Sequence, residues 1–180
     1  MSDTSIHLAV VVGSVRDGRF GPVVAQWFAE RARQRPELVV DVVDLLETGA
    51  GPAFADRIGA ADAVVIVTPE YNHSFPGPLK TAIDETGGQW RGKPVGFVAY
   101  GGLSGGLRAV EQLRPVLAEL HAVGLRDTVS FHGAAAAFDA SGRPREDSAD
   151  AAATVLLDAV VWWARTLRRA REEHAEGALT

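Results

Sequence analysis

The sequence predicts an α/β fold, a three-layer sandwich built on an open, doubly wound sheet of five parallel strands, in one domain over residues 1–180. Three observations predict it. Short β-rich apolar runs recur along the chain with amphipathic segments between them. Three of those runs are apolar nearly throughout, as strands covered on both faces must be. Strands that alternate with helices in this way connect by right-handed crossovers, which leaves few topologies.

The first strand is Ile6 to Val12, "IHLAVVV". A turn follows, and then a helix from Phe20 to Gln34 with Val24, Trp27 and Phe28 toward one side. Its basic last turn, "RARQR", complements the helix C-terminus, and Pro36 ends it. Leu38 to Val43 alternates apolar with polar and suits an edge strand. Ala63 to Val67 and Val95 to Ala99 are the apolar central strands. Leu107, Val110, Leu113, Leu117 and Leu120 recur at helical spacing, predicting a helix over Gly106 to His121, kinked by Pro115 and stopped by Gly124. Thr128 to Phe131 is the fifth strand, and the Ala-, Gly- and Pro-rich Gly133 to Asp147 is a loop. A terminal helix from Ser148 to Arg171 carries Val155, Leu156, Val160, Trp163 and Leu167, with Trp162 and Trp163 expected in packing or a subunit contact. No internal repeat is present.

Composition narrows the function. With 23 acidic against 18 basic residues and a formal charge of −5, the chain lacks the overall attraction on which non-specific nucleic-acid binding depends. It has no cysteine, which excludes disulfide scaffolds, thiolate nucleophiles, CxxC redox motifs and zinc ribbons. Any redox chemistry must therefore be borrowed from a cofactor. The five histidines are scattered without metal-ligand spacing, so no metal site is expected. The N-terminus has no basic region ahead of its apolar run, and no stretch approaches the roughly 20 apolar residues that span a bilayer. These features read as a cytoplasmic protein that does not engage a membrane.

Doubly wound sheets bind ligands outside the carboxyl ends of their strands, which directs attention to three loops. The loop after the first strand, "GSVRDGRFG", offers the Ser14 hydroxyl, the planar forks of Arg16 and Arg19, and a helix N-terminus near Phe20 and Gly21. It suits one phosphate, and the alternative is a solvated turn. Neither GxxxxGK[ST] nor GxGxxG occurs, so a monophosphate fits better than a nucleoside triphosphate or a dinucleotide. The loop after the third strand, "TPEYNHSFPGPLKTAID", places Pro69, Pro76 and Pro78 around Glu70, Tyr71, Asn72, His73 and Ser74. Prolines restrict both themselves and the residues before them, so this backbone follows a nearly fixed path with N–H and C=O groups free of the sheet. Such a path suits the edge of a flat heterocycle, and the alternative is a merely rigid connection. The loop after the fourth strand, "YGGLSGG", runs from Tyr100 through Gly101, Gly102, Ser104 and Gly105, dense enough in glycine for close backbone approach.

That last loop also matches GxSxG, which raises a serine hydrolase centred on Ser104. Asp127 or Asp139 followed by His174 would supply the order of a triad, but His174 lies in the charged tail "REEHAEG". This reading leaves the other two loops unexplained.

Taken together, the three loops resemble those of the NAD(P)H-dependent FMN reductase family, flavodoxin-like flavoproteins that include quinone, chromate and azo-dye reductases. The resemblance runs from Ile6 to about Leu120, and "TPEYNxSxPGxLKxAID" is its most specific part. It implies strand order 2-1-3-4-5. It implies that Ser14, Arg16 and Arg19, with backbone at Phe20 and Gly21, hold the FMN phosphate. Pro69 to His73 would line the isoalloxazine with Ser74 supporting the turn, and Tyr100 to Gly106 would border it. Lys80 and Asp84 fall in the family's "LKxAID" helix, a packing and contact element. Two departures stand out: "RFG" replaces the Ser and Asn that many relatives carry after the first arginine, and "ETGGQWRG" delays Trp90.

The resemblance further implies a reductase with no catalytic side chain. NADPH or NADH would give hydride to FMN, and a small electron acceptor would collect it in ping-pong turnover. A homodimer or homotetramer is implied as well. The rival within the same fold is a non-enzymatic flavodoxin-type electron carrier, whose first loop usually resembles "TxTGxT".

Overall fold

The computed structural model describes residues 5–177 of the chain. Five parallel strands form one sheet in the order β2-β1-β3-β4-β5: β1 (Ile6–Val12), β2 (Leu38–Asp44), β3 (Ala63–Pro69), β4 (Pro94–Tyr100) and β5 (Val123–Phe131). The helices are α1 (Gly21–Arg33), α2 (Leu45–Thr48), α3 (Pro52–Ala60), α4 (Gly77–Asp84), α5 (Leu107–Glu119), α6 (Ala134–Ala137) and α7 (Ser148–Gly177), with one 3-10 turn at Gly88–Trp90. The doubly wound flavodoxin-like sheet and its strand order are those expected.

Successive side chains on each strand point to opposite faces, and the sequence fills both. Ile6, Leu8, Val10 and Val12 of β1, with Val65, Val67 and Val98, pack under α1 and α7. Ala9, Val11, Val64, Ile66, Val95 and Phe97 face α3, α4 and α5 on the other side. Every residue of β3 and β4 is buried, which is why these runs are apolar without alternation. The edge strands β2 and β5 alternate instead.

Three local expectations are revised. Gly124 does not stop α5; it lies inside β5, and the chain leaves the helix through His121, whose φ is +58°. The fifth strand begins at Val123, five residues ahead of its expected start, because an edge position tolerates Gly124, Arg126 and Asp127 in strand conformation. Short α6 interrupts the loop after β5, whereas α5 contains Pro115 as its expected span did. Trp90 is fully buried against Phe54 and donates its indole N–H to the Thr86 hydroxyl at 2.6 Å, so the late tryptophan serves the core. Trp163 is partly buried on the α7 side of the core, whereas Trp162 is 60% exposed.

Candidate active site

The three loops meet at the carboxyl edge of the sheet because β1, β3 and β4 are adjacent and in register, with Val12 beside Val67 and Pro69 beside Tyr100. The loop after β1 is tied down at its start by Gly13, whose N–H donates to the Val67 carbonyl at 2.9 Å. Beyond it, the amides of Ser14, Val15, Arg16, Asp17 and Gly18 have no acceptor among the described residues. A run of free amides ahead of a helix N-terminus is a ready anion cradle.

Ser14 is fully buried, and its hydroxyl accepts from the Tyr100 phenol at 3.3 Å. Burial pushes the phenol up to about 12, so Tyr100 stays protonated and remains a donor. Gly21 closes this corner: a Cβ there would stand 2.4 Å from Ser14 Oγ and 3.0 Å from the Tyr100 oxygen. No side chain but glycine's fits between the first helix and these hydroxyls.

The two arginines of this loop divide. Arg16 is exposed, with its guanidinium carbon 4.4 Å from the centroid of the Tyr71 ring, which joins the first loop to the third. Arg19 turns to the sheet instead. Its fork reaches both carboxylate oxygens of Asp44, at 2.5 and 2.7 Å, and also donates to the Ser14 carbonyl at 2.8 Å. Asp44 ends β2 in register with Val12, directly beside the loop. The fork expected to take a phosphate is therefore committed to a brace, with both side chains nearly buried. The hydrogen bond that Arg19 donates to Asp44 raises the Arg19 pKa further despite burial.

In the loop after β3, Tyr71 and Ser74 exchange backbone hydrogen bonds at 2.8 and 3.1 Å across a two-residue turn. Asn72 and His73 occupy it with φ of +49° and +70°. Positive φ at both central positions is the type I′ geometry, uncommon for residues other than glycine. The three prolines frame this turn: Pro69 ends β3, Pro76 precedes α4 and Pro78 lies in its first turn. Side chains of α5 pin it. Gln112 donates to the His73 carbonyl at 2.8 Å and accepts from the Ser74 hydroxyl at 2.5 Å, and Arg108 donates to His73 Nδ1 at 3.1 Å.

Glu70 connects this loop to the next. Its carboxyl is 7% exposed, pairs with Arg108 at 2.5 Å and accepts from the Ser104 hydroxyl at 2.5 Å. Burial pushes its pKa up, but the bonds from Ser104 and Arg108 outweigh that and hold it below the usual carboxylate range. In the loop after β4, Gly106 has φ +86° and a Cβ there would lie 2.7 Å from the Tyr100 amide nitrogen. Gly101 donates to the Phe131 carbonyl at 3.1 Å, and the Ser130 hydroxyl donates to the Gly105 carbonyl at 2.9 Å. Gly102 faces open space, and Leu103 at the loop's tip is 96% exposed.

Among the described side chains Ser104 has no triad. The Ser104 hydroxyl is bonded to Glu70 rather than to an imidazole, and the His132 ring sits on the Leu103 carbonyl at 2.8 Å. The His174 side chain lies outside the described residues. A cavity of about 610 Å³ flanks β5 between His132, Arg145 and Ala149, away from the Arg16–Tyr71 pair. No helix among the described residues is long and apolar enough to cross a membrane.

Sequence reasoning missed Asp44, Arg108 and Gln112. Asp44 carried a signal, since it closes a strand at the ligand-binding edge. Arg108 and Gln112 are four apart, and so share one face of a helix opened by the glycine loop.

Comparison with known proteins agrees with this arrangement. The model of the NADPH-dependent FMN reductase family matches residues 6–136. A quinone reductase of Pseudomonas putida is 38% identical over 154 residues, covering 76% of this chain and 83% of its own. An NAD(P)H-dependent FMN reductase of Schizosaccharomyces pombe is 34% identical over 119 residues, 55% of this chain, and the matched part is 60% of that protein's length. Among solved structures, the flavoenzyme NAD(P)H:(acceptor) oxidoreductase FerB of Paracoccus denitrificans superposes with a TM-score of 0.69 at 26% identity, over 89% of this chain and 98% of its own. By the family match over most of its length and by the three loops that carry it, the chain belongs to the NADPH-dependent FMN reductase family.

Proposed function

We infer that this protein is an FMN-dependent NAD(P)H oxidoreductase, a single domain over residues 1–180 that serves a small acceptor: a free flavin, a quinone, an azo dye or a metal oxyanion. The observation that carries the reading is the joining of three loops at one sheet edge, through Arg16 on Tyr71, Tyr100 on Ser14 and Glu70 on Ser104 and Arg108. FMN, when bound, would supply the two-electron chemistry that links NADPH or NADH to the acceptor.

The residues present fit that cofactor. The free amides from Ser14 to Gly18, the exposed Arg16 and the corner kept open by Gly21 suit one phosphate, with Phe20 beside them. Arg19 serves by holding the Ser14 carbonyl in place rather than by meeting the phosphate. The turn of Pro69, Glu70, Tyr71, Asn72, His73 and Ser74 presents the Asn72 and His73 amides, which have no acceptor among the described residues. Pinned donors of this kind stabilise negative charge on a bound ring without having to be ordered first. Tyr100, Gly101, Gly102, Ser104 and Gly105 form the opposite border. No side chain is assigned to proton or group transfer in the flavin step.

The same reading places the protein in the cytoplasm as a homodimer or homotetramer; the exposed Trp162 and Val155 on α7 support the subunit contact. The test is the visible spectrum of protein loaded with FMN, followed on anaerobic addition of NADPH and of NADH. Rapid bleaching, reversed by a quinone, is expected; a bound flavin that neither nucleotide bleaches would identify an electron carrier instead.

A further inference from the structure

We propose that His73 is a catalytic residue for carbonyl acceptors of the quinone class, held by Arg108 as a neutral imidazole that donates a hydrogen bond from Nε2 to the acceptor's oxygen. The inference rests on the flavin-reductase reading above and deepens it. A guanidinium has no acceptor, so the contact of Arg108 Nη1 with His73 Nδ1 at 3.1 Å requires Nδ1 to accept. The ring proton then stands on Nε2. Nothing among the described residues bonds Nε2, and the residue is exposed at the rim of the turn.

The arrangement around the ring is overdetermined for a surface histidine. Arg108 is itself held by the carboxyl of Glu70, and the His73 carbonyl is gripped by Gln112. The backbone stays at φ +70°, outside the regions that most non-glycine residues occupy. A neutral imidazole is a poor acid, since loss of its remaining proton would give imidazolate. Its part is therefore to polarise a carbonyl and stabilise the oxyanion left when the quinone gains a hydride; that hydride would come from the reduced flavin, which would be oxidised by the same two electrons, and the proton that completes the hydroquinone would come from water. Arg108 is a positioning residue, because it acts only through the ring.

The experiment has two readouts. In the FMN-free protein, long-range proton–nitrogen correlation of the imidazole should show the proton on Nε2 of His73, and Arg108→Met should return the ring to a mixture of tautomers. A proton on Nδ1 in the wild type overturns the proposal. In FMN-loaded protein, the ratio of benzoquinone to ferricyanide reduction should fall about tenfold in His73→Leu, the loss of one hydrogen bond, and recover in His73→Gln, whose amide can donate. Leu and Gln bear the same backbone strain, so an equal ratio in both variants overturns it too. FMN affinity measured for each variant separates a binding defect from a catalytic one. A wild type that is not bleached by either nucleotide would instead overturn the reductase reading, whatever the tautomer.

Discussion

Replacing Gly21 with alanine tests whether the corner of Ser14, Tyr100 and the first helix is built as described. The added methyl would stand 2.4 Å from Ser14 Oγ, 3.0 Å from the Tyr100 hydroxyl and 3.0 Å from Val12 Cγ1. Ser14 and Val12 are buried, so neither can swing away without moving the loop or the strand. Overpacking of this kind costs about 1–3 kcal/mol, offset by about 0.4–1 kcal/mol from stiffening the unfolded chain. A net loss of roughly 1–2 kcal/mol lowers Tm by about 2–8 °C for a chain of this size. The control is Gly77→Ala. Gly77 is likewise the first residue of a helix with proline next, but nothing lies within 4 Å of its Cβ position. It should be neutral or slightly stabilising. Thermal melts of the two FMN-free variants, with flavin fluorescence titrations beside them, make the comparison. Gly21→Ala should also bind FMN about tenfold more weakly, as displacement of Ser14 by about 1.4 kcal/mol of contact energy implies. Equal melting temperatures for the two variants would refute the packing argument.

Arg16→Ala should weaken FMN binding strongly while leaving the fold intact by circular dichroism; unchanged affinity would remove Arg16 from the phosphate site. Arg19→Lys cannot reproduce the forked pair with Asp44, so it should destabilise the FMN-free protein by about 1.5–3 kcal/mol in urea melts. Weakened FMN binding with unchanged stability would make Arg19 a phosphate ligand after all. Lys93 is 6% exposed and donates to the Ile58 and Gly59 carbonyls at 2.6 and 2.8 Å; burial, then repulsion from Arg171, lowers its pKa to about 8. Between that value and the ordinary 10.5 the unfolded chain binds more protons, so stability should rise with pH across this window, and Lys93→Met should abolish the rise. Tyr100 acts in the opposite sense, its pKa being raised from 10 to about 12, so its contribution is lost as the pH climbs above 10. Trp162→Glu should shift the assembly toward monomer in light scattering with its secondary structure retained; an unchanged mass would place the subunit contact elsewhere.

The architecture was legible because its signals are local. A strand covered on both faces must be apolar throughout, and β1, β3 and β4 announce themselves that way. β5 was half hidden, since Gly124, Arg126 and Asp127 are permitted at an edge and read as a break. The positions of the loops followed from the fold, but their internal wiring did not. Whether Arg19 meets a ligand or Asp44, 25 residues further along the chain, depends on the register of β2 against β1. The stiffness of the third loop was read from its prolines, whereas the hydrogen bonds that pin the turn come from Arg108 and Gln112 on a later helix. The sequence suggested His73 as one of the residues lining a flat ring, but its contact with Arg108 depends on that same later helix.

The central claim is that the first loop grips a single phosphate while the third and fourth hold a flat ring. Titration of the FMN-free protein with FMN and, separately, with riboflavin tests it most directly, because the two ligands differ only in that phosphate. One FMN should bind per chain, with riboflavin weaker by at least about a hundredfold through the loss of several charge-assisted hydrogen bonds. Equal affinity for the two flavins would contradict it.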